Sequence, residues 1–293
     1  MDAVYIFRHS PFHDFEIRYS LRSLARYAPY IRKVWIFGDK PRFLSNDKTL
    51  IQHVPHEYTA RVVGVQTPVT DFSMLMVLAS LIPELGFEYL QWSDDHYLLK
   101  DYPISEARKT RYHADLPPVM PAAKVIGKWK QTLRFTADTL RYIGYTAYNF
   151  ETHTPRCLTR KMVFDAYSDL RKFITEEHFA ALTGPTAILN PAYCRERMAL
   201  TRLKDENSMC GFWQTPPSYE DVVEASEGKT FFNFDDLAFG TGIRRFLMEQ
   251  FPSPSQYERT RSRATRAWAV SSRSRSSAPP GSRSLPRTAR RKS

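Results

Sequence analysis

Apolar and polar residues change period several times along the first hundred positions. Ala3–Phe7, Val34–Phe37 and Leu50–Val54 are short runs rich in β-branched and aromatic residues, the composition of strands. Between the first two, Asp14–Tyr30 places Ile17, Leu21 and Leu24 at i, i+4 and i+7, one apolar face of a helix that Pro29 ends. A second helix is expected from Asp71 to Ile82, with Thr70 or Asp71 as N-cap and Pro83-Glu-Leu-Gly as its exit. It leads into Phe87–Asp95, an aromatic-rich strand that ends in two adjacent acids. This β-α-β-β-α-β order with long connections predicts an α/β fold with a mostly parallel sheet flanked by helices. Sites in such sheets lie beyond the carboxyl ends of the strands, where Asp94 and Asp95 would sit.

After Lys100 the pattern is less regular. A Pro-rich segment around 116–121 is followed by expected helices over Lys130–Tyr142 and Leu158–Lys172, and these read as insertions over the active edge of the sheet. Asn190–Ser218 carries no clear periodicity. Phe231–Phe234 is an expected strand running into Asp235-Asp236, and Ile243–Phe251 an expected helix. The expected organisation is therefore one domain over 1–258, with a core sheet in 1–100, helical insertions in 101–230 and a closing strand and helix in 231–258. Residues 259–293, made largely of Arg, Ser, Ala, Pro and Thr, are too poor in apolar groups to offset the cost of ordering and are expected to form a disordered tail.

Charge reinforces that boundary. The chain's net charge of +11 comes entirely from the tail, whose ten Arg and one Lys meet no acid, while 31 basic and 31 acidic residues balance in the body. A nucleic-acid-binding protein working through the Arg-rich tail is thus one alternative, but the neutral body has no recognisable RNA-binding motif, so nucleic acid is not the expected partner. The 42% apolar content with 14% aromatics suits a folded body. Cys157, Cys194 and Cys210 lie far apart and form no C-x-x-C pair, as in a reduced cytoplasmic protein. The opening residues lack the n-region and h-region of a signal peptide, and the longest mostly apolar run, Ser73–Ile82, is about half of what a bilayer requires. No transmembrane segment is expected; peripheral contact of the basic tail with an anionic membrane is compatible with the composition.

Paired carboxylates where a buried strand emerges can be a solvated turn, or can hold Mg²⁺ or Mn²⁺ against a diphosphate. Three features give the second reading weight. A second acid pair, Asp235-Asp236, ends another expected strand; His153 lies in a His-Thr-Pro loop; and Arg18, Arg22 and Arg26 follow one another at i, i+4 and i+8 on the first helix, spaced to grip phosphate oxygens. Glu227-Gly-Lys-Thr230 lacks the upstream glycine of a phosphate-binding loop and reads as a turn. The pairs His9/His13 and His53/His56 have no third ligand nearby and are not expected to bind metal.

Asp2-Ala-Val-Tyr5, Glu16–Leu24 and Tyr27–Arg32, followed by Pro68, Ile82-Pro83 and Ser93-Asp94-Asp95 in one ungapped register, resemble the opening blocks of the Stealth family of sugar-phosphate transferases. His153-Thr-Pro155 resembles its third block, and Phe232–Asp236 with Phe251–Tyr257 its fourth, so the likeness runs from residue 2 to 258. The resemblance implies a GT-A-like nucleotide-sugar domain that moves a hexose 1-phosphate from a nucleotide-diphosphate sugar to an acceptor hydroxyl, in surface or capsular polysaccharide synthesis. A glycan or a lipid-linked molecule would be the acceptor. Asp95, His153 and Asp235 would then be catalytic, with Asp94 and Asp95 at the metal. Glu16, Arg18, Arg22, Asp71 and Asp236 would contact substrate. Either Asp95 or His153 would take the proton of the attacking hydroxyl. The chain departs from the family pattern where Asp71 replaces an asparagine and where Phe72, Ser73 and Met76 replace polar and histidine positions. It departs again downstream of His153, where Thr183–Asn190 stands in the context of an expected arginine that Arg195 or Arg197 would have to supply. An ordinary glycosyltransferase and an inactive binding member remain the alternatives on this fold.

Overall fold

The computed structural model describes residues 1–69, 71–117, 127–174 and 182–259. The chain divides into a unit Met1–Glu258 and a second unit Arg259–Ser293. Apart from Arg259, the expected tail lies outside the described residues, as do Thr70 and most of the Pro-rich segment.

In chain order the first part of the body is β1 (Asp2–Phe7), α1 (Phe15–Tyr27), β2 (Val34–Gly38), β3 (Ile51–Val54), α2 (His56–Val63), α3 (Phe72–Ser80) and β4 (Glu88–Trp92). There follow β5 (Tyr97–Leu98), α4 (Ile104–Ala107), β6 (Thr110–Tyr112), α5 (Lys128–Tyr142), β7 (Arg156–Thr159) and α6 (Arg160–Leu170). The last part contains α7 (Gly184–Glu196), β8 (Leu200–Arg202), α8 (Leu203–Glu206), β9 (Met209–Phe212), α9 (Tyr219–Ser226), β10 (Phe231–Phe234) and α10 (Thr241–Gln250).

The main sheet has the order β3-β2-β1-β4-β7. Its first four strands are parallel and β7 is antiparallel to β4. Period-two alternation loads both faces. Val4, Trp35, Phe37 and Tyr89 pack with α3, α6 and α7, whereas Ala3, Tyr5, Phe7, Ile36, Leu90 and Trp92 pack with Ile17, Leu21 and Leu24 of α1. Helix α3 is apolar on every side because it lies in the middle of the first layer, with Met76 and Leu78 fully buried. Asp71 is its N-cap, and its carboxylate accepts the Met74 N–H at 2.9 Å.

Two sequence expectations are corrected. The main sheet draws its fifth strand, β7, from the supposed insertions, so the expected helix at Leu158 begins only at Arg160 after Thr159 caps it. The closing strand β10 does not join the main sheet but forms the centre of a second sheet, β5-β10-β9, backed by Phe246 and Leu247 of α10. Asn190–Ser218, where the sequence carries no clear periodicity, holds the end of α7, then β8, α8 and β9.

Chain direction places the site. From β1 the chain moves outward through β2 and β3, then returns to the other side of β1 as β4, so the strand order reverses between β1 and β4. Loops leaving the carboxyl ends of these two strands diverge, and the crevice between them is where ligands bind in open parallel sheets. One loop is Arg8–Asp14, and the other begins at Ser93-Asp94-Asp95.

Candidate functional site

Beyond Trp92 the chain folds into a tight turn, with the His96 N–H donating to the Ser93 carbonyl at 3.2 Å. Two donors fix that turn from below. The Ser20 hydroxyl of α1 and the Trp92 indole N–H both donate to the His96 carbonyl, at 2.6 and 3.1 Å. From the second sheet, Asn233 of β10 donates its amide to an Asp95 carboxylate oxygen at 2.8 Å. Asp95 is therefore aimed by a residue far away in sequence, and this explains why β10 matters to the site without belonging to the main sheet.

His153 sits just before β7 with φ 51°, a left-handed conformation that a non-glycine residue adopts only when its surroundings impose it. Its ring packs against the Trp213 indole, with centroids 4.8 Å apart. Ligand atoms of Asp95, His96 and His153 all lie within 4.8 Å of one another, and His96 Nε2 is 3.8 Å from Asp95 Oδ1. A divalent ion with bonds of about 2.1 Å sets opposite donors roughly 4 Å apart, so a small closure would bring the three onto one ion. His96 is almost fully buried and its Nδ1 has no hydrogen-bond partner. The residues thus offer a divalent cation two imidazoles and one carboxylate, a donor set richer in nitrogen than the oxygen ligands Mg²⁺ favours.

Electrostatics favour a cation as well. Burial, then the neighbouring Asp95, Glu16 and Asp236, push the Asp94 carboxyl well above its ordinary range. Asp95 is raised by burial, which outweighs its hydrogen bonds and the nearby Arg156. Glu16, on the buried face of α1, is raised mainly by burial; its Oε2 accepts the Ser10 hydroxyl at 2.7 Å, whereas Oε1 has no partner. Burial and the positive charge of Arg156 hold His153 down at about 4 and His96 well below the usual imidazole value, so both rings are neutral near pH 7. Neutral imidazoles are the form that binds metal.

Arg156 is the site residue that the sequence reading missed. It opens β7 opposite Gln91 of β4, donates to the Gln91 side chain at 3.0 Å and to the Phe150 carbonyl at 3.2 Å, and is buried near Asp95. A buried arginine thus lies three residues after His153, whereas Arg195 is paired with Asp169 and Arg197 ends α7. A Thr-Pro-Arg continuation of the His153 loop was the available signal. His96 was also missed, although it directly follows the acid pair.

Other expected residues take different places. Arg22 is not free to grip phosphate: its Nε and Nη2 donate to the two Glu258 oxygens at 2.7 and 2.9 Å, and Nη1 donates to the Phe251 carbonyl. Arg18 stacks on Phe43 and approaches the same Glu258, so the basic face of α1 fastens the closing segment of the body. Asp235 shapes a turn, accepting the Gln214 N–H with both oxygens at 3.0 Å and the Ala238 N–H at 2.8 Å. Its neighbour Asp236, exposed, is the acid whose charge reaches Asp94, Asp95 and Glu16. Asp71 is buried as the α3 cap.

No protein-family model matches the chain, and no curated protein matches it. Among solved structures, the galactosyltransferase LgtC in complex with donor and acceptor sugar analogues aligns at a TM-score of 0.46 and 11% identity, over 87% of this chain and 98% of that one.

Proposed function

We propose that the protein is a metal-assisted transferase that takes a hexose 1-phosphate, or the hexose itself, from a nucleotide-diphosphate sugar to an acceptor hydroxyl. The observation that carries this reading is the gathering of Asp95, His96 and His153 within 4.8 Å at the reversal point of a parallel sheet, among the further acids Asp94, Glu16 and Asp236. A cluster of acids beside one buried arginine favours a cation, and a divalent ion held there could also carry the oxygens of a diphosphate. The resemblance to the Stealth family favours phosphotransfer, which releases a nucleoside monophosphate. Transfer of the sugar alone would release the diphosphate.

Asp95, His96 and His153 would hold the cation. That ion, when bound, would neutralise charge on the diphosphate and the leaving nucleotide. Arg156 partly offsets the burial that raises Asp95 and fixes its strand neighbour Gln91. Asp94, whose carboxyl is raised by burial and by neighbouring acids and is therefore more basic than an ordinary carboxylate, is suited to take the proton of the attacking hydroxyl, better than His153, whose basicity is lowered. Asp236 would line the mouth of the crevice.

Incubation with Mn²⁺ and a panel of UDP-, GDP-, CMP- and dTDP-sugars, with the released nucleotide identified by chromatography, tests the reading. Monophosphate from a diphosphate sugar is expected. Diphosphate as the sole product would move the protein to ordinary glycosyl transfer, and turnover unaltered in both Asp95→Asn and His153→Ala would overturn the site.

A further inference from the structure

Trp213 follows the carboxyl end of β9 and is 42% exposed, so part of its ring is open to a ligand. It is exposed but not loose. Behind it lies Gly211, where a Cβ would come within 2.8 Å of the indole, so only glycine lets the ring lie back against the strand. Beside it, at a centroid distance of 4.8 Å and an angle of 51°, is His153. The next residue, Gln214, is held in a left-handed conformation (φ 69°) while both Asp235 oxygens accept its N–H, and the Thr215 N–H donates to the Trp213 carbonyl at 2.8 Å. A glycine, a histidine and a clamped loop thus brace one indole at the edge of the polar centre.

We propose that Trp213 is the platform on which the hexose of the donor stacks. This rests on the nucleotide-sugar reading above. The inference follows from placement and chemistry: a pyranose has a face of C–H groups that packs on an aromatic ring, and its C1 oxygen is bonded to phosphorus, so a sugar whose phosphate lies at Asp95 and His153 has its ring one bond away. The indole adjoining His153 is braced where that ring would fall. Rigid bracing also limits the ordering entropy that a free side chain would lose on binding. The platform selects for the presence of a sugar on the diphosphate, not for the base.

Calorimetric titrations of wild type, Trp213→Ala and Trp213→Phe with Mn²⁺ and the pairs UDP against UDP-glucose, UDP against UDP-N-acetylglucosamine and GDP against GDP-mannose would isolate the hexose contribution. For the pair that the wild type binds with a sugar-dependent gain, Trp213→Ala is expected to lose roughly tenfold in affinity for the nucleotide sugar. Its affinity for the nucleoside diphosphate should stay within about twofold, and Trp213→Phe should recover most of the loss. An unchanged ratio in Trp213→Ala would overturn the platform. So would equal weakening of diphosphate and nucleotide sugar, which would make the indole merely a support for His153. If the wild type bound none of these nucleotides, the nucleotide-sugar reading would fail, and the platform with it.

Discussion

Asp94 is raised by burial and by three neighbouring carboxylates, so ionising it opposes folding until a cation arrives. Replacing it with the isosteric asparagine should raise the melting temperature of the metal-free protein. The same change should weaken the stabilisation by Mn²⁺, which for the wild type is about 2.7 kcal/mol at a hundred times Kd. Differential scanning fluorimetry with and without Mn²⁺ reads both, and a lower melting temperature without metal would mean that the acids are structurally compensated. His56 offers a pH test away from this centre. Its ring packs on Phe37 with Nε2 unpartnered, and burial, then Arg8, lowers its pKa. The unfolded chain therefore binds a proton at about pH 6.5 that the folded one resists, so this contribution to stability is present above that pH and lost as pH falls through it. In His56→Phe the fall in melting temperature between pH 7.5 and 5.5 should be smaller than in wild type, because all other titrating groups cancel in the comparison. Equal falls would show that His56 is not a protonation-sensitive residue.

Helix α10 meets the cap of α9 without room for a side chain. A Cβ on Gly242 would lie 2.4 Å from the Pro217 carbonyl oxygen and 2.7 Å from the Ser218 carbonyl carbon, both backbone atoms. An alanine in a helix is ordinarily better than glycine by up to about 1 kcal/mol, but crowding against backbone costs about 1–3 kcal/mol and should prevail. Gly242→Ala is expected to lower the urea midpoint at unchanged slope, and a raised midpoint would mean that the two helices separate freely. Elements differ in how plainly they can be read from sequence for a related physical reason. Helix α1 was legible because Ile17, Leu21 and Leu24 recur on the face that meets the sheet while Arg18, Arg22 and Arg26 share another, a one-faced pattern even though only Arg26 of the helix is exposed. Helix α7 was not: its first half is buried all round, it contains Pro191, and Asn190 bonds outward to Thr146 and Tyr148 as well as back to Thr186 in the helix itself. Such a helix has neither an amphipathic stripe nor helix-forming composition. Strand β7 was hidden likewise, since four residues entering directly into a helix look like its first turn. At the site, the acid pair announced itself through its strand, but Arg156 and His96 are functional candidates only by where β4, β7 and β10 meet.

At the scale of the molecule, charge and closure coincide. The body is formally neutral, and its last described contacts are those of Glu258, which receives Arg22 and accepts the Ser255 N–H at 2.9 Å. With Glu258 buried and Arg22 bidentate on it, the segment after α10 is fastened to α1 before the basic residues begin. A chain ended at Arg259 keeps every one of these contacts and loses the remaining cations of residues 260–293. Its melting temperature, Mn²⁺ response and donor turnover should match those of the full chain. Binding to single-stranded RNA or anionic vesicles should change sharply: neutralised phosphates release counterions, so the full chain's affinity should fall steeply with salt while the shortened chain shows little binding at any ionic strength. Fluorescence anisotropy with labelled oligonucleotide across a salt series measures the slope directly. Salt-dependent binding that survived the truncation would place a phosphate-binding surface on the neutral body. A loss of donor turnover would instead assign the basic residues a part in the chemistry, and the Arg22–Glu258 closure could no longer be regarded as the limit of the catalytic unit.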